Sequence, residues 1–281
     1  MKIAHLILAH SEPEQLGRLV NRLQHPDAWI FIHLDKKAPI AEFKLHIKQE
    51  KVYWLTDRVD VRWGAYSIVQ ATLNGFRDIV DSGLPVDYVN LLSGVDYPLK
   101  SAVEIHNFLD MGDRQSFVQY SLVHVDWKEA ISRVTEYHLD GYSFPGKYLV
   151  QKWMNRLLPK RKMPEQLIPV GRSQWFTITL EATRYILDYL HQHPHVVKFF
   201  KLTWAPDEMI FQTILYNSAF RKNLVNNNLR YIDWSAGKAS PKILTEKDKV
   251  KIEISGAFFG RKFDAKNHPD ILDLLDAKNH H

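Results

Sequence analysis

Residues 88–98 have the sequence YVNLLSGVDYP, and this stretch decides the predicted fold. Residues 88–92 form a short apolar run typical of a buried strand, and the mostly polar or small residues 93–96 follow it directly. Just before them, residues 67–80 carry apolar side chains at helical spacing. A helix that leads into a buried strand predicts one unit of a sheet with helices packed against it.

The same alternation extends from this stretch to the N-terminus. Further apolar runs occur at residues 3–9, 29–34 and 52–55. Strands that alternate with helices form right-handed crossovers, so we predict the α/β class, with a mixed, mostly parallel sheet and helices on both faces. Ligands of such sheets lie beyond the carboxyl ends of the strands. His10, Asp35 and Asp96 fall at those ends and are the first candidate site residues.

The rest of the chain continues the α/β pattern less regularly. It predicts strands at 175–180, at a segment ending in 233–234 and at 257–259, with helices beginning at 181 and 206 and a last helix near 271–275. Residues 117–169 show no such pattern and predict an irregular insertion. Within them, the basic run 159–162 is typical of a solvated loop, and contact with an anionic acceptor or lipid is the alternative. We expect one domain over residues 1–281.

Composition narrows the classes of function. The chain has 281 residues, 45% hydrophobic and 25% charged, which is ordinary for a globular protein and excludes a disordered or low-complexity one. The net charge of +5 is small and dispersed, which disfavours a nucleic-acid-binding protein. The 8 Trp and 12 Tyr fit either core packing or stacking on carbohydrate. The absence of Cys excludes disulfides, thiolate zinc sites and a cysteine nucleophile.

No apolar run approaches the ~20 residues that a membrane-spanning helix needs. We therefore expect a cytoplasmic protein whose contact with a membrane, at its inner face, is at most peripheral. Dinucleotide, Walker and nucleophile-elbow motifs are absent, and so is the D-x-D pair that holds a metal in many sugar-nucleotide enzymes. His191, His193 and His195 alternate around Pro194, which favours a surface turn over a metal site. We expect neither a metal nor a cofactor.

The triplet Pro206-Asp207-Glu208 stands at a predicted helix start, where proline and acidic residues are favoured for purely structural reasons. Neighbouring helical residues point about 100° apart. The two acids are therefore unsuited to the paired chemistry of glycosidases, which disfavours a hydrolase or a retaining transferase. One of them could act singly as a general base.

Arg261 and Lys262 stand side by side where a predicted strand closes. Two surface cations are the simplest interpretation of this pair alone. A bound diphosphate is the alternative, because an anion relieves the repulsion between adjacent cations.

Taken together, these segments and several others resemble the core-2/I-branching β-1,6-N-acetylglucosaminyltransferase and peptide O-xylosyltransferase family, in a bacterial, cysteine-free form. The resemblance spans about residues 1–264. It is carried, in order, by residues 6–10 with 13–16, 31–37, 61–64, 91–98, 171–176, 206–208, 240–241 and 259–263. The membrane anchor and disulfides of eukaryotic relatives are not expected to carry over to this chain, and residues 117–169 match no family pattern.

The resemblance implies a GT-A fold and a role for individual residues. Glu208 would be the catalytic base. Arg261 and Lys262 would replace a metal at the diphosphate. The other donor-binding residues would be His10, Asp35, Lys37, Trp63, Gly64 and Asp96. Acceptor or sugar contacts would come from Trp175, Asp207 and Trp234.

The expected function is that of a metal-independent, inverting glycosyltransferase. It would move a sugar, N-acetylglucosamine or xylose, from a UDP-sugar to a glycan hydroxyl with β-linkage, in cell-surface polysaccharide synthesis. The expected partners are the UDP-sugar donor and a glycan acceptor, a lipid-linked one included, and no nucleic acid. The alternative is a non-catalytic nucleotide- or glycan-binding module on the same fold.

Overall fold

A computed structural model describes residues 1–277. Its backbone contacts divide the chain into two compact units, each assembled from separate stretches of sequence. Unit 1 contains Met1–Thr56, Leu84–Arg114 and the described residues from Leu229 onward. Unit 2 contains Asp57–Gly83 and Gln115–Asn228. The expectation of a single domain stays a prediction.

Strands occur in both units. Within residues 1–277 they are β1 (Ile3–Ala9), β2 (Ala28–Leu34), β3 (Val52–Trp54), β4 (Tyr88–Ser93), β5 (Asp96–Pro98), β6 (Ser116–Leu122), β7 (Val170–Thr179), β8 (Leu224–Asn226), β9 (Arg230–Ile232) and β10 (Phe259–Arg261). The predicted α/β class is confirmed.

Helices alternate with these strands along much of the chain. In the same described range they are α1 (Pro13–Arg22), α2 (Ile40–His46), α3 (Tyr66–Asp81), α4 (Ala102–Met111), α5 (Ile131–Thr135), α6 (Lys147–Leu157), α7 (Leu180–Gln192), α8 (Pro194–Lys201), α9 (Ile210–Tyr216), α10 (Lys249–Ile254) and α11 (Pro269–Ala277). Short 3-10 helices also occur in this range, and one of them, Pro206–Glu208, precedes α9. None of the helices in this range is long and apolar enough to cross a bilayer.

Unit 1 is built on parallel strands in the order β3-β2-β1-β4. The continuous apolar run of β1 is buried except for the half-buried Leu8, as expected of a strand covered on both faces. His5 is the polar residue of that run, and its Nδ1 lies 2.9 Å from Nδ2 of its register partner Asn90. Burial lowers the pKa of His5 to about 3, so the ring is neutral at physiological pH.

A second sheet in unit 1 joins β5, β10 and β9. β10 runs antiparallel to β5 and parallel to β9. The pattern predicted a strand at 257–259, whereas β10 begins at Phe259 and ends at Arg261, and β5 was expected to be loop. The three-residue β5 is too short to give a periodic signal, and it is defined by its pairing with a distant segment.

Unit 2 contains β7, β6 and β8 in that order, with β6 antiparallel to β7 and parallel to β8. The rings of Phe76, Phe176 and Phe211, from α3, β7 and α9, pack with centroids 5.5–6.2 Å apart. Residues 117–169, expected to be irregular, contain most of β6 and both α5 and α6. The register shift between Val118 and Tyr120 interrupts the alternation of β6, which explains why the strand was missed.

Candidate active site

Polar residues follow the strand ends of unit 1 as predicted. His10, after β1, is exposed, whereas Asp35, after β2, is buried. The carboxylate of Asp35 accepts hydrogen bonds from the backbone N of Lys37 at 2.8 Å and from its Nζ at 3.1 Å. The backbone N of Asp35 donates to the Ala9 carbonyl at 2.8 Å, which ties together the ends of β1 and β2. The structure therefore brings Asp35 and Lys37 together.

Asp96 and Arg261 form a cross-strand ion pair. They are register partners on β5 and β10, and Nη1 of Arg261 donates to Oδ1 of Asp96 at 2.7 Å. The other oxygen, Oδ2, accepts from the backbone N of Ser93 at 2.9 Å. Asp96 is fully buried, so both of its oxygens are engaged within the chain. Its contact with a donor sugar stays a prediction, and what it does here is to fix the guanidinium of Arg261.

A second arginine lies buried near this pair. Nη2 of Arg230 donates to the carbonyl of Leu91 at 2.9 Å and to Oδ1 of Asn90. Burial lowers the pKa of Arg230 to about 9, and the negative charge of Asp96 opposes that shift. Arg230 therefore remains a cation at neutral pH, and the Asp96 carboxylate lies in the field of two arginines.

Lys262 contacts a different segment from its neighbour. Its Nζ donates to Oγ of Ser240 at 3.2 Å. Ser240 belongs to a loop closed by a 2.8 Å hydrogen bond from the Lys242 backbone N to the Asp233 carbonyl. Trp234, at the start of that loop, is exposed. Convergence of both cations on one anion stays a prediction.

In unit 2, Glu208 is held by an arginine that the sequence did not reveal. Nη1 of Arg133 donates to Oε2 of Glu208 at 2.6 Å. The guanidinium of Arg133 also lies over two indole rings, 4.7 Å from the centroid of Trp127 and 4.3 Å from that of Trp204. Cation–π contacts of this kind stabilise by roughly 0.5–2 kcal/mol each. Arg133 therefore has a defined position from which it orients Glu208.

The Trp63-Gly64 turn packs onto the same tryptophan. The rings of Trp63 and Trp204 meet edge to face with centroids 5.6 Å apart, and Trp63 is 68% exposed. Gly64 has φ +73°, and a Cβ there would lie 2.8 Å from Nε1 of Trp204. The carbonyl of Gly64 accepts from the Ala205 backbone N at 2.8 Å. The structure thus links the predicted Trp63-Gly64 turn to the segment that carries Glu208.

Gly171 allows β7 to pass close to the catalytic candidate. A Cβ at this position would clash with the Glu208 carbonyl oxygen and would lie 2.9 Å from Cα of Met209. Farther along β7, Trp175 is buried. Its role as a sugar or acceptor contact stays a prediction.

Asp207 differs sharply from its neighbour in environment. It is 5% exposed, and its Oδ1 makes no hydrogen bond with any residue among 1–277. Loss of hydration raises the pKa of Asp207 to about 7, with a further contribution from the charge of Glu208, while Arg133 opposes the shift. Asp207 lies in the 3-10 turn that precedes α9, so the predicted structural role at a helix start and the burial of its carboxyl occur together.

The histidine cluster lies where α7 ends and α8 begins, at the predicted turn. Nδ1 of His193 lies 2.8 Å from the Tyr189 carbonyl, and Nε2 of His195 lies 2.6 Å from Oε1 of Glu165. Over residues 1–277, no group of three or more His, Asp or Glu side chains has the arrangement of a metal site.

The structure therefore brings together some predicted residues and adds others. Asp35 lies with Lys37 and Asp96 with Arg261 in unit 1, and the Trp63-Gly64 turn is linked to Glu208 in unit 2. The residues missed by sequence reasoning are Arg133, Trp127 and Trp204. Trp204 stands two residues before Pro206 and could have been noticed, whereas Arg133 is 75 residues from Glu208 and left no local signal.

The chain is similar in sequence to known proteins. The family model described as Core-2/I-branching enzyme matches residues 3–256. Xylosyltransferase 2 of Rattus norvegicus is 24% identical over 309 residues, which cover 98% of this chain and 33% of that protein. Xylosyltransferase 1 of the same species is 24% identical, with 99% of this chain and 35% of that protein covered. The chain thus spans about a third of the length of the curated relatives it matches.

Two solved structures are similar at low identity. The galactosyltransferase LgtC, solved with donor and acceptor sugar analogues, gives a TM-score of 0.45 at 10% identity, with 99% of this chain and 96% of that chain covered. Apo mouse xyloside xylosyltransferase 1 gives a TM-score of 0.40 at 10% identity, with 92% and 97% covered.

Proposed function

This chain belongs to the Core-2/I-branching enzyme family, and we propose that it is an inverting glycosyltransferase that uses a UDP-sugar and needs no metal. The acceptor is a glycan hydroxyl, and the new linkage is β. The donor sugar is N-acetylglucosamine or xylose. The product belongs to a cell-surface polysaccharide. The GT-A fold of glycosyltransferases is part of the same proposal.

The observation that carries the proposal is the state of Glu208. One oxygen of its carboxylate binds Arg133, whereas Oε1 makes no hydrogen bond with any described residue. The side chain is partly exposed, so an acceptor can reach it. A carboxylate that is held at one oxygen and open at the other suits a general base, which must lie within ~3 Å of the hydroxyl it deprotonates.

The proposed reaction is a single displacement. The acceptor oxygen forms a bond to the anomeric carbon and gives its proton to Glu208. The bond from that carbon to the diphosphate oxygen breaks, and its electron pair leaves with UDP. One carboxylate is sufficient for this step, because the acceptor hydroxyl is the nucleophile and the diphosphate departs as an anion that needs no general acid.

The departing diphosphate gains negative charge, and Arg261 and Lys262 are the proposed counter-charges. The ion pair with buried Asp96 fixes the guanidinium of Arg261 before any ligand binds. A preorganised cation stabilises developing charge without the cost of reorganisation. The absence of a D-x-D motif supports a metal-free mechanism as well.

The aromatic residues support a carbohydrate or nucleotide ligand. Trp63 and Trp234 are both exposed, Trp63 next to Gly64 in the chain and Trp234 at the start of the loop that contains Ser240, the partner of Lys262. The flat face of an indole stacks on the C–H face of a sugar or on a base. Xylosyltransferase relatives make xylose the first donor sugar to test.

A donor screen tests this function. The purified chain is heated with individual UDP-sugars, and the proposed donor raises its melting temperature because the ligand binds the folded state. That donor is then incubated with glycan acceptors, with and without excess EDTA. Transfer that persists in EDTA, with inversion at the anomeric carbon, is the expected result. Loss of transfer that Mn²⁺ restores would refute metal independence, and binding of UDP without transfer would favour a non-catalytic module.

A further inference from the structure

Helix α6 is attached to the rest of unit 2 through its polar side chains. Oε1 of Gln151 accepts from the Leu139 backbone N at 2.8 Å. Oδ1 of Asn155 accepts from the Tyr137 backbone N at 2.7 Å, and its Nδ2 donates to the Tyr137 carbonyl at 3.0 Å. Gln151 and Asn155 are one turn apart, so they mark the face of α6 that contacts the protein.

The apolar side chains of α6 lie on a different face and are exposed. Leu149, Trp153 and Leu157 recur every fourth residue, and Val150 lies beside them. These four side chains are between 44% and 71% exposed, and no residue of α6 is buried. A helix with its polar face inward and its apolar face outward reverses the usual arrangement, and a contiguous exposed apolar stripe marks an interaction surface.

The charged residues of α6 and of the segments next to it are cations. Residues 141–164 contain six cations and no acid, the cations being Lys147, Lys152, Arg156, Lys160, Arg161 and Lys162. Lys160 pairs with Glu136 at 2.9 Å. Lys152 and Arg156 are exposed, one turn apart, on the flank of the apolar stripe. An apolar stripe bordered by cations is complementary to a surface that has an anionic outer layer and an apolar interior.

A buried arginine anchors the segment that follows α6. Arg161 was expected to lie in a solvated loop, but it is buried. Its Nη1 donates to the carbonyls of Glu136 at 2.7 Å and Leu202 at 2.5 Å, and its guanidinium lies 3.8 Å from the ring centroid of Phe199. This anchor and the two amides on the inner face fix α6, so the apolar stripe is presented on a supported helix.

We propose that the exposed face of α6 binds the surface of an anionic lipid bilayer. Leu149, Trp153 and Leu157 would enter the boundary between headgroups and acyl chains, and Lys152 and Arg156 would remain among the lipid phosphates. This arrangement is typical of helices that lie in the plane of a membrane, where tryptophan and long cationic side chains are favoured. A protein partner is the other conceivable occupant. The cations on this face are not interspersed with acidic residues, which favours lipid over a protein partner. Anionic headgroups present negative charge along the whole length of the helix.

This inference does not depend on the proposed glycosyltransferase activity, since it uses none of the residues assigned to that reaction. Each cation near an anionic membrane contributes about fivefold to binding. Loss of both Lys152 and Arg156 should therefore weaken binding about 30-fold. Replacement of Trp153 by a charged residue should abolish binding.

Vesicle flotation of the purified full chain tests the proposal. The vesicles are phosphatidylcholine alone or an equimolar mixture with phosphatidylglycerol. The variants are the double substitution Lys152→Gln with Arg156→Gln, and Trp153→Glu. Matched controls are Lys44→Gln with Lys48→Gln, an exposed pair four residues apart, and Ile254→Glu, an apolar residue that is 81% exposed. Circular dichroism verifies that each variant is folded.

The expected result is binding to anionic vesicles only, weakened about 30-fold in the double variant, lost in Trp153→Glu and unchanged in both controls. Equal binding of the chain to both vesicle types, or equal binding of variants and controls, would overturn the proposal. So would a wild-type dimer that Trp153→Glu converts to a monomer while neither form binds vesicles, because a second copy would then cover this face.

Discussion

Glu208 accepts a hydrogen bond from Arg133 through Oε2 alone, at 2.6 Å, and Arg133 in turn lies over the rings of Trp127 and Trp204. The orientation of one carboxylate thus depends on a stacked arginine 75 residues away in sequence.

Glu208→Gln should lower kcat by about 100–10,000-fold and leave donor affinity nearly unchanged, because the amide keeps the shape of the side chain but cannot take a proton. Steady-state kinetics give the turnover, and titration calorimetry with UDP gives the affinity. Near-normal turnover would remove Glu208 from the proposed role.

Arg133→Met should lower kcat by about 10–100-fold, the cost of misplacing a catalytic group by roughly 1 Å, with little effect on the donor KM. Arg133→Lys should recover part of the loss, since it keeps the charge but not the planar stacking. Arg221→Met is the control, because Arg221 also stacks, 4.1 Å from the ring centroid of Tyr216, without touching Glu208. A fall in kcat of the same size in the control would indicate a general structural effect.

Substitution of the cations should act on the donor instead. Arg261→Met and Lys262→Met should each lower kcat/KM for the UDP-sugar by about 10–100-fold, as expected for loss of a hydrogen bond to a charged group. Lys266→Met, which removes an exposed cation nearby in sequence, should leave kcat/KM unchanged. Donor titrations at several salt concentrations verify that the loss is electrostatic. Unchanged kcat/KM in both site variants would contradict the proposed diphosphate contact.

Gly64→Ala tests the turn that supports Trp204. Gly83 provides a matched control, because it has φ +66° and open space around its Cβ position. Gly83→Ala should cost about 1–2 kcal/mol in the free energy of unfolding, the penalty for a left-handed residue. Gly64→Ala should cost more and should also lower kcat, since the added methyl group pushes against the ring that positions Arg133. Urea unfolding gives the free energy of unfolding of both variants, and steady-state kinetics give their kcat. Equal losses in the two variants would contradict the role assigned to Gly64.

Asp207 should make the stability of the folded chain depend on pH. Its pKa is about 7 in the native state, above the usual value of 3.8, so between about pH 4 and pH 7 the folded state retains a proton that the unfolded state has released. The free energy of unfolding should therefore fall with rising pH in that interval, by up to roughly 1.4 kcal/mol per pH unit from this group. Below pH 4 and above pH 7 the group contributes no slope.

Asp207→Asn should remove this contribution. From pH 4 to pH 7 the wild type should lose stability from this group, whereas the variant should not. The unfolding free energy of the variant minus that of the wild type should therefore increase over this interval, as measured by urea unfolding. A difference that does not change with pH would show that Asp207 titrates normally.

The fold was predictable where local pattern determines structure. The buried runs of β1, β2 and β4 are continuous and apolar, and α3 has clear helical spacing, so each was placed within a residue or two. β5 was missed because it is short and is defined by pairing with a distant segment, and β6 was missed because a register shift interrupts its alternation. α6 was also missed, although Leu149, Trp153 and Leu157 recur at helical spacing; the spacing does not show that this apolar face is exposed while the polar face contacts the protein.

Candidate site residues were predictable where they share a motif. Asp35 with Lys37 and Arg261 with Lys262 are close in sequence, so their proximity follows from the chain itself. Asp96 lies opposite Arg261 only because β5 and β10 pair. The two residues are 165 positions apart, and neither segment contains a local pattern that predicts this pairing. Arg133 belongs to the part of the chain that matched no family pattern, and only its stacking on two tryptophans reveals it.

The close approach of Gly171 to the Glu208 carbonyl restricts how this chain can diversify. Any Cβ at position 171 would clash with that oxygen, so only glycine is tolerated there unless the segment that carries Glu208 also shifts. Variation in acceptor preference is therefore expected to accumulate elsewhere in unit 2, while position 171 stays invariant among active descendants of this chain.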